Sequence, residues 1–206
     1  MSRTLELVTV DARTLPLVQH LRYRVYVAEM GLPFQAADHT ARLLVEDLDE
    51  LGRSFAVFER ADLVASLQTI PVDPRSPDPR FAVFALETTL PEPDAGVLIV
   101  LKLVSDPARR GTEPLMLLMR AAILEAKAQH ARYIAITCMP PLQAFYTQLS
   151  FEVCIAKVER IPFGPCAVMV FDLADPRHRE GKSFAGWMLR DALAGVDLAE
   201  ISITSF

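Results

Sequence analysis

The 206-residue chain is poor in cysteine: Cys138, Cys154 and Cys166 are an odd number without the paired spacing of a metal site. They read as reduced thiols of a cytosolic protein, packed in its core. Basic charge is scarce too. Lys and Arg total 21 against 26 Asp and Glu, a net charge of −5. That balance argues against non-specific nucleic-acid binding, although it leaves room for a local basic patch. Long apolar runs are missing. The densest, "GVLIVL" at 96–101, ends at Lys102, far short of the roughly 20 residues that span a membrane. Arg3, Glu6, Asp11 and Arg13 interrupt the N-terminus, so no secretory leader is expected and the location reads as cytoplasmic. His20, His39 and His178 lack metal-ligand spacing, and no repeat or low-complexity segment is found.

What is present is apolar. Hydrophobic residues make up 51% of the chain, and the mean hydropathy is +0.25. A chain this long can bury roughly 70% of its unfolded surface in one domain. One domain over 1–206 is expected, with a helical tail from about 177. The hydropathy suits a large core or an apolar tunnel, and composition does not separate the two. "TLELVTV" (4–10) alternates like a strand. Residues 14–31 read as a helix with Thr14 as N-cap, Pro16 in the first turn and Gly31 as the stop. Residues 34–53 read as loop with a short helix. "SFAVFER" and "LVASLQTIP" suggest a hairpin joined at Ala61-Asp62. The four prolines of "PVDPRSPDPR" (71–80) mark an exposed loop. Central strands follow at 96–106 and 132–138, with a long buried helix (112–131) between them. A short helix (141–149), two closing strands and a tail helix, "SFAGWMLRDALAG", complete the order.

The long-helix unit is a βαβ crossover, and here two motifs converge. "AFYTQLSFEV" (144–153) resembles the late motif of the GNAT acyltransferase superfamily, in which Phe-Tyr ends a helix before Leu-Gly-Phe and a strand; Ser150 replaces the glycine. "VSDPARRGTEPLMLLMRAA" resembles its acyl-donor motif. The resemblance covers residues 4 to 172. It implies an α/β GNAT-like fold: a central twisted mixed sheet of about seven strands flanked by helices, splayed between strands 96–105 and 132–138. "LRYRVYVAEMG" followed by "LLVEDLDE" resembles the branch holding acyl-homoserine-lactone synthases and long-chain N-acyl amino acid synthases. Arg22, Tyr26, Glu46 and Asp49 match that pattern. The autoinducer pattern has tryptophan at Leu32, arginine near Gln68, and Glu-x-Ser-Arg where this chain reads Ile99, Val100, Leu101, Lys102. Those departures favour the N-acyl amino acid synthase branch, whose members acylate aromatic amino acids such as tyrosine.

The resemblance assigns roles to residues. A tyrosine at position 146 can protonate a departing thiolate, and a phenol with pKa about 10 suits that task; Tyr146 reads equally well as a core tyrosine. Glu46, Asp47 and Asp49 can deprotonate or position an attacking ammonium, or form a solvated acidic loop. Arg22, Tyr26 and Lys102 are the acceptor-binding candidates. One of Arg22 and Arg24 would fork onto a carboxylate, and Lys102 needs a partner or an open pocket inside its strand. Leu103, Val104, Arg109, Arg110, Gly111 and Thr112 are the donor-binding candidates. Helix N-termini bind anions through their orphan N–H groups, and family members wrap CoA pyrophosphate with Arg-x-x-Gly-x-Gly. Here Pro114 deletes a donor and Glu113 repels a polyanion. One phosphodiester, as on the phosphopantetheine arm of an acyl carrier protein, asks less. Thr112 as an ordinary N-cap is the bland alternative. Arg109, Arg110, Arg120, Lys127, His130 and Arg132 would suit an acidic carrier protein, or form a solvated face.

The expected reaction is a direct attack by an amino acid's amine on a phosphopantetheine-linked acyl thioester. The oxyanion would be held by a backbone N–H near a strand irregularity around Leu101 to Leu103. No Ser/His/Asp or Cys/His arrangement suggests a covalent acyl-enzyme. No bound cofactor, metal, nucleic acid or integral membrane segment is expected. An acyl-homoserine-lactone synthase and a non-catalytic acyl-carrier or lipid-binding protein are the alternatives.

Overall fold

A computed structural model of the chain describes residues 4–75, 79–179 and 202–204. They fall into two compact units. The first holds residues 4–69, 102–121 and 202–204, and the second holds 70–75, 79–101 and 122–179.

In the first unit, β1 (Thr4–Thr9) pairs antiparallel with β4 (Arg53–Glu59), through Leu7↔Val57. β4 pairs antiparallel with β5 (Asp62–Val72), through Phe55↔Leu67. On its other side β1 takes β10 (Ser202–Thr204), in register Leu5↔Ile203. The hairpin turn falls at Arg60-Ala61, one residue earlier than expected, where Arg60 takes φ +59. α1 (Leu15–Arg22) starts after Pro-compatible first-turn geometry, but Thr14 does not cap it with its side chain. The Thr14 hydroxyl instead donates to the Asp11 carboxylate at 2.9 Å, the nearer acceptor. The helix then widens into a π-helical segment, Tyr23–Glu29, closed by the Met30 N–H on the Val25 carbonyl and followed by Gly31 at φ +67. A small hairpin, β2 (Ala37–Asp38) and β3 (Leu43–Leu44), lies in a stretch whose composition reads as loop. A 3-10 turn, Asp47–Glu50, follows it.

In the second unit, β6 (Val97–Ser105) runs parallel to β7 (Tyr133–Cys138). β7 pairs antiparallel with β9 (Gly164–Asp172), and β9 with β8 (Glu152–Arg160). The β6–β7 register runs Val97↔Tyr133, Leu98↔Ile134, Ile99↔Ala135. β5, β6 and the long helix α3 (Thr112–Ala128) each pass along the chain from one unit to the other. All seven expected strands are present, and the mixed α/β architecture is the one the sequence implies. The proline-rich stretch is less open than expected: β5 continues to Val72, and a 3-10 turn covers Pro79–Phe84. Two very short helices add to the pattern, α2 (Leu86–Thr89) and α5 (Pro176–Arg179), beside α4 (Gln143–Gln148). The tail helix proposed for 183–195 lies outside the described residues.

Two backbone positions connect sequence to packing. Ser150, which stands where the resembled motif has glycine, takes φ +68, so the turn keeps the left-handed geometry that makes glycine the usual choice. Gly96 takes φ +79 and ψ 144, and a Cβ there would come within 3.1 Å of Ala131 Cα and the His130 carbonyl oxygen. Gly96→Ala is therefore expected to cost about 1–3 kcal/mol, seen as a lower denaturant midpoint with an unchanged slope. A midpoint equal to the wild type would show that the 96–131 approach is loose.

Candidate functional site

The acidic pair Glu46 and Asp49 is first a structural device. Glu46 is the N-cap of the 3-10 turn Asp47–Glu50. Its carboxylate accepts the Asp49 backbone N–H, while the Asp49 carboxylate accepts the Glu46 N–H at 3.2 Å. This is a reciprocal capping box. Gln68 fastens the turn to β5: its buried amide nitrogen donates to the Leu48 carbonyl and, at 2.7 Å, to the Leu51 carbonyl.

Asp49 is also the centre of a charge cluster. Its Oδ1 accepts from Arg22 Nη1 and, at 2.8 Å, from Lys102 Nζ. Its Oδ2 accepts from Gln19 Nε2 at 3.0 Å. Lys102 Nζ also lies 3.2 Å from Glu46 Oε2. Burial raises the Asp49 pKa, but Arg22, Lys102 and Gln19 outweigh it and pull the carboxyl down to about 2. Burial, and then Arg22, push the Lys102 ammonium below its ordinary range, against the opposing pull of Glu46 and Asp49. Lys102 sits at φ +53 inside β6. A non-glycine residue in the left-handed region of a strand is a strained position of the kind found at working sites.

The geometry redraws two expected roles. Arg22, expected to hold an acceptor carboxylate, is 0% exposed. It spends Nη1 on Asp49, while its Nε and Nη2 are buried without a hydrogen-bond partner. A molecule arriving from solvent does not touch it. Asp49, expected as a base, is a carboxylate saturated by four donors and held at about 2. It is too weak a base for an ammonium and acts here as the group that orients Lys102 and Arg22. The accessible acid is Glu46, whose side chain is 22% exposed against 5% for Asp49. Tyr26 is buried and stacks on Phe34, with centroids 5.8 Å apart.

The donor-side residues are engaged elsewhere in the same unit. Asp106 caps the turn Pro107–Arg109 through the Ala108 N–H and takes the fork of Arg24 at 3.1 and 3.2 Å. Arg24 is thus the structural partner of the two helix arginines. Arg109 reaches Asp62 at 2.6 Å and Glu59 at 3.3 Å, and Arg110 reaches Glu29 at 2.5 Å. α3 begins at Thr112, so Gly111, not Thr112, precedes it. Glu113 and Pro114 fall in the first turn, where the missing N–H and the carboxylate both weaken an anion site. Leu103 is half-buried and Val104 buried in β6.

Tyr146 belongs to the second unit. It is buried, edge-on to Phe145 and Phe151 at 5.3 and 5.6 Å. Arg132, expected on a docking face, clamps Asp172 through two 2.9 Å bonds and pairs with Glu92. Of the three cysteines, Cys154 is exposed, because β8 ends its unit's strand order and leaves side chains outward. Sequence reasoning missed Gln19 and Gln68 as anchors of the cluster. The signal for Gln19 was its i, i+3 spacing to Arg22; that for Gln68 was a polar residue inside an apolar strand. Among the described residues no group of three or more His, Cys, Asp or Glu could hold a metal ion, and no helix is long and apolar enough to cross a membrane.

No family model and no curated protein matches the sequence. Solved structures do match. FeeM, an N-acyl amino acid synthase from uncultured soil microbes, superposes with a TM-score of 0.69 at 16% identity, covering 91% of this chain and 99% of that one. BjaI, a CoA-dependent acyl-homoserine lactone synthase solved with SAM and isopentyl-CoA, gives 0.63 at 12% identity over 93% and 90%. An acyl-CoA N-acyltransferase from Pseudomonas aeruginosa gives 0.55 at 19% over 81% and 97%.

Removing the Asp49 charge breaks a buried pair. Asp49→Asn is expected to cost about 3–5 kcal/mol, because Arg22 and Lys102 lose their common anion. In the wild type the depressed carboxyl contributes about 2 kcal/mol. That contribution is present above the unfolded carboxyl's ordinary pKa near 4 and is lost as pH falls toward about 2. Urea titrations at pH 6 and pH 3 should therefore show the gap between wild type and variant narrow by about 1 kcal/mol at the lower pH. A constant gap would remove Asp49 from the acid response. What the chain shares with these neighbours is the fold, a mixed α/β sheet flanked by helices.

Proposed function

We propose that the protein is an N-acyltransferase that moves a medium or long fatty acyl chain from a phosphopantetheine thioester to the α-amine of an amino acid, an aromatic one such as tyrosine. The single observation that carries the reading is the Glu46–Lys102–Asp49–Arg22 cluster: an accessible carboxylate, Glu46, fixed beside a strained strand residue in the fold of the N-acyl amino acid synthase FeeM. Glu46 receives the acceptor's ammonium and takes its proton, since an amine must lose one before it attacks. Lys102, held between two carboxylates, keeps Glu46 in place. The inverted backbone at Lys102 offers a main-chain group for the developing oxyanion. Leu103 and Val104 meet the acyl-pantetheine arm. In the second unit, Tyr146 is the proposed proton donor to the leaving thiolate.

The donor is an acyl carrier protein in preference to CoA. What supports this is the first turn of α3, where Glu113 and Pro114 stand among the anion-binding positions. The protein would then work in the cytoplasm, with no resident cofactor.

Incubation with acyl-carrier thioester, mixed amino acids and SAM, read by mass spectrometry, should give N-acyl amino acids with chains of roughly C10 to C16, each buried CH₂ being worth about 0.8 kcal/mol. An N-acyl homoserine lactone as the product would point to the activity named for BjaI; no amide at all would leave a binding protein. Glu46→Gln should lower kcat about 10²-fold or more, and Tyr146→Phe about tenfold or more. Unchanged kcat in either variant removes that residue from the reaction.

A further inference from the structure

The donor turn carries an internal conflict. Its two arginines are the cations that the proposed donor phosphate would need, yet each already holds a carboxylate from a different part of the first unit. Arg109 reaches Asp62 at 2.6 Å, at the start of β5, and Glu59 at 3.3 Å. Arg110 reaches Glu29 at 2.5 Å, the last residue of the π-helical segment. The turn between them is itself pinned by Arg24 on Asp106.

These contacts differ in what they can give up. Asp106 is 11% exposed, caps a turn and receives a bidentate fork, so the Arg24 pair is structural. The Glu59 side chain is 16% exposed and stays with the strand. Asp62 and Glu29 are different: their side chains are 65% and 34% exposed, and Arg110 is 53% exposed. Exposed pairs of this kind are weak and exchange readily. A phosphate oxygen offers a guanidinium the same planar recognition as a carboxylate, with more acceptors. Arg109 also lines an open groove of about 260 Å³ with Arg24, His20, Leu17, Leu63 and Asp62, so one of the two exchangeable pairs, Arg109–Asp62, lies in the groove's wall.

We propose that Asp62 and Glu29 are built-in competitors for the donor phosphate: they occupy Arg109 and Arg110 and are displaced when a phosphopantetheine donor binds. The inference rests on the donor reading given above and adds a specificity device to it. A free small donor must displace both carboxylates with one phosphate. A donor delivered on a docking protein brings additional contact energy to the same exchange. The competition therefore lowers affinity for unattached donors more than for carrier-bound ones.

The test uses the full-length protein with Glu29→Gln, Asp62→Asn, the double variant and Arg109→Ala, and free 4′-phosphopantetheine as the calorimetric probe. Each single amide substitution should tighten Kd about 2- to 5-fold, and the double variant more. Arg109→Ala should weaken it. In turnover, the double variant should gain on acyl-CoA relative to acyl-carrier thioester. The two sites are on different segments, so a folding defect in one amide variant leaves the other to decide. If the wild type binds and Arg109→Ala weakens binding, but neither amide variant changes Kd, the competitor role is overturned while the donor site stands. If neither the wild type nor any variant binds the probe at millimolar concentration, the donor site and the competitor role both fall.

Discussion

The first unit is organised around a buried carboxylate with four donors. Asp49 takes Arg22, Lys102, Gln19 and the Glu46 backbone N–H, and these come from α1, β6 and its own turn. A buried ion cluster is weak evidence for stability by itself, because desolvation consumes most of the Coulombic gain. Its value is geometric. Arg22 is fully buried, and a guanidinium there without Asp49 would be an uncompensated charge. The helix, the acidic turn and the inverted residue of β6 are therefore held in one arrangement. Of the two acids that meet Lys102, Glu46 is the one left partly open, and its contact with the buried Lys102 places it.

The same constraint explains why residues of one motif separate into different jobs. Arg22 and Arg24 lie two apart across the change from α to π winding. One meets Asp49 and the other Asp106. Glu46 and Asp49, three apart, cap one another. Spacing that reads as paired catalytic carboxylates is thus also the spacing of a capping box, and only burial separates the two residues: the deeper one is an anchor, the shallower one keeps a face toward solvent.

Much of the fold was legible because its signals are local. Apolar runs, the Gly31 stop and the βαβ crossover locate β1, α1, β6, α3 and β7 to within a few residues, and Ser150 betrays its left-handed turn by standing in a glycine's place. The π-helical segment and the β2–β3 hairpin were not legible. The first differs from an α-helix by one hydrogen-bond register, and the second is held by two residue pairs and an Asx-type turn at Asp38. The candidate site was legible as a set of residue types and not as a network. Nothing local in the sequence says that Gln68 will hold the Leu48 and Leu51 carbonyls, or that Lys102 will find Glu46 and Asp49 more than fifty positions away.

Charge at the donor turn shows why residue type alone misleads. Arg109 and Arg110 look like two free cations on a basic loop. In the fold they face Glu59, Asp62 and Glu29, while Glu113 adds a further acid at the helix start. With Arg24 and Asp106 included, three arginines stand among five carboxylates. A polyanion such as a pyrophosphate with an extra phosphate meets a field that is net negative, whatever the local hydrogen-bond geometry. A single phosphodiester, on the proposed reading, has only to draw Arg109 and Arg110 from two exposed partners, Asp62 and Glu29. On the proposed donor reading, the acidic surroundings would take part in selection: each arginine starts on a carboxylate, and a ligand would have to offer better geometry than an exposed ion pair to take it away.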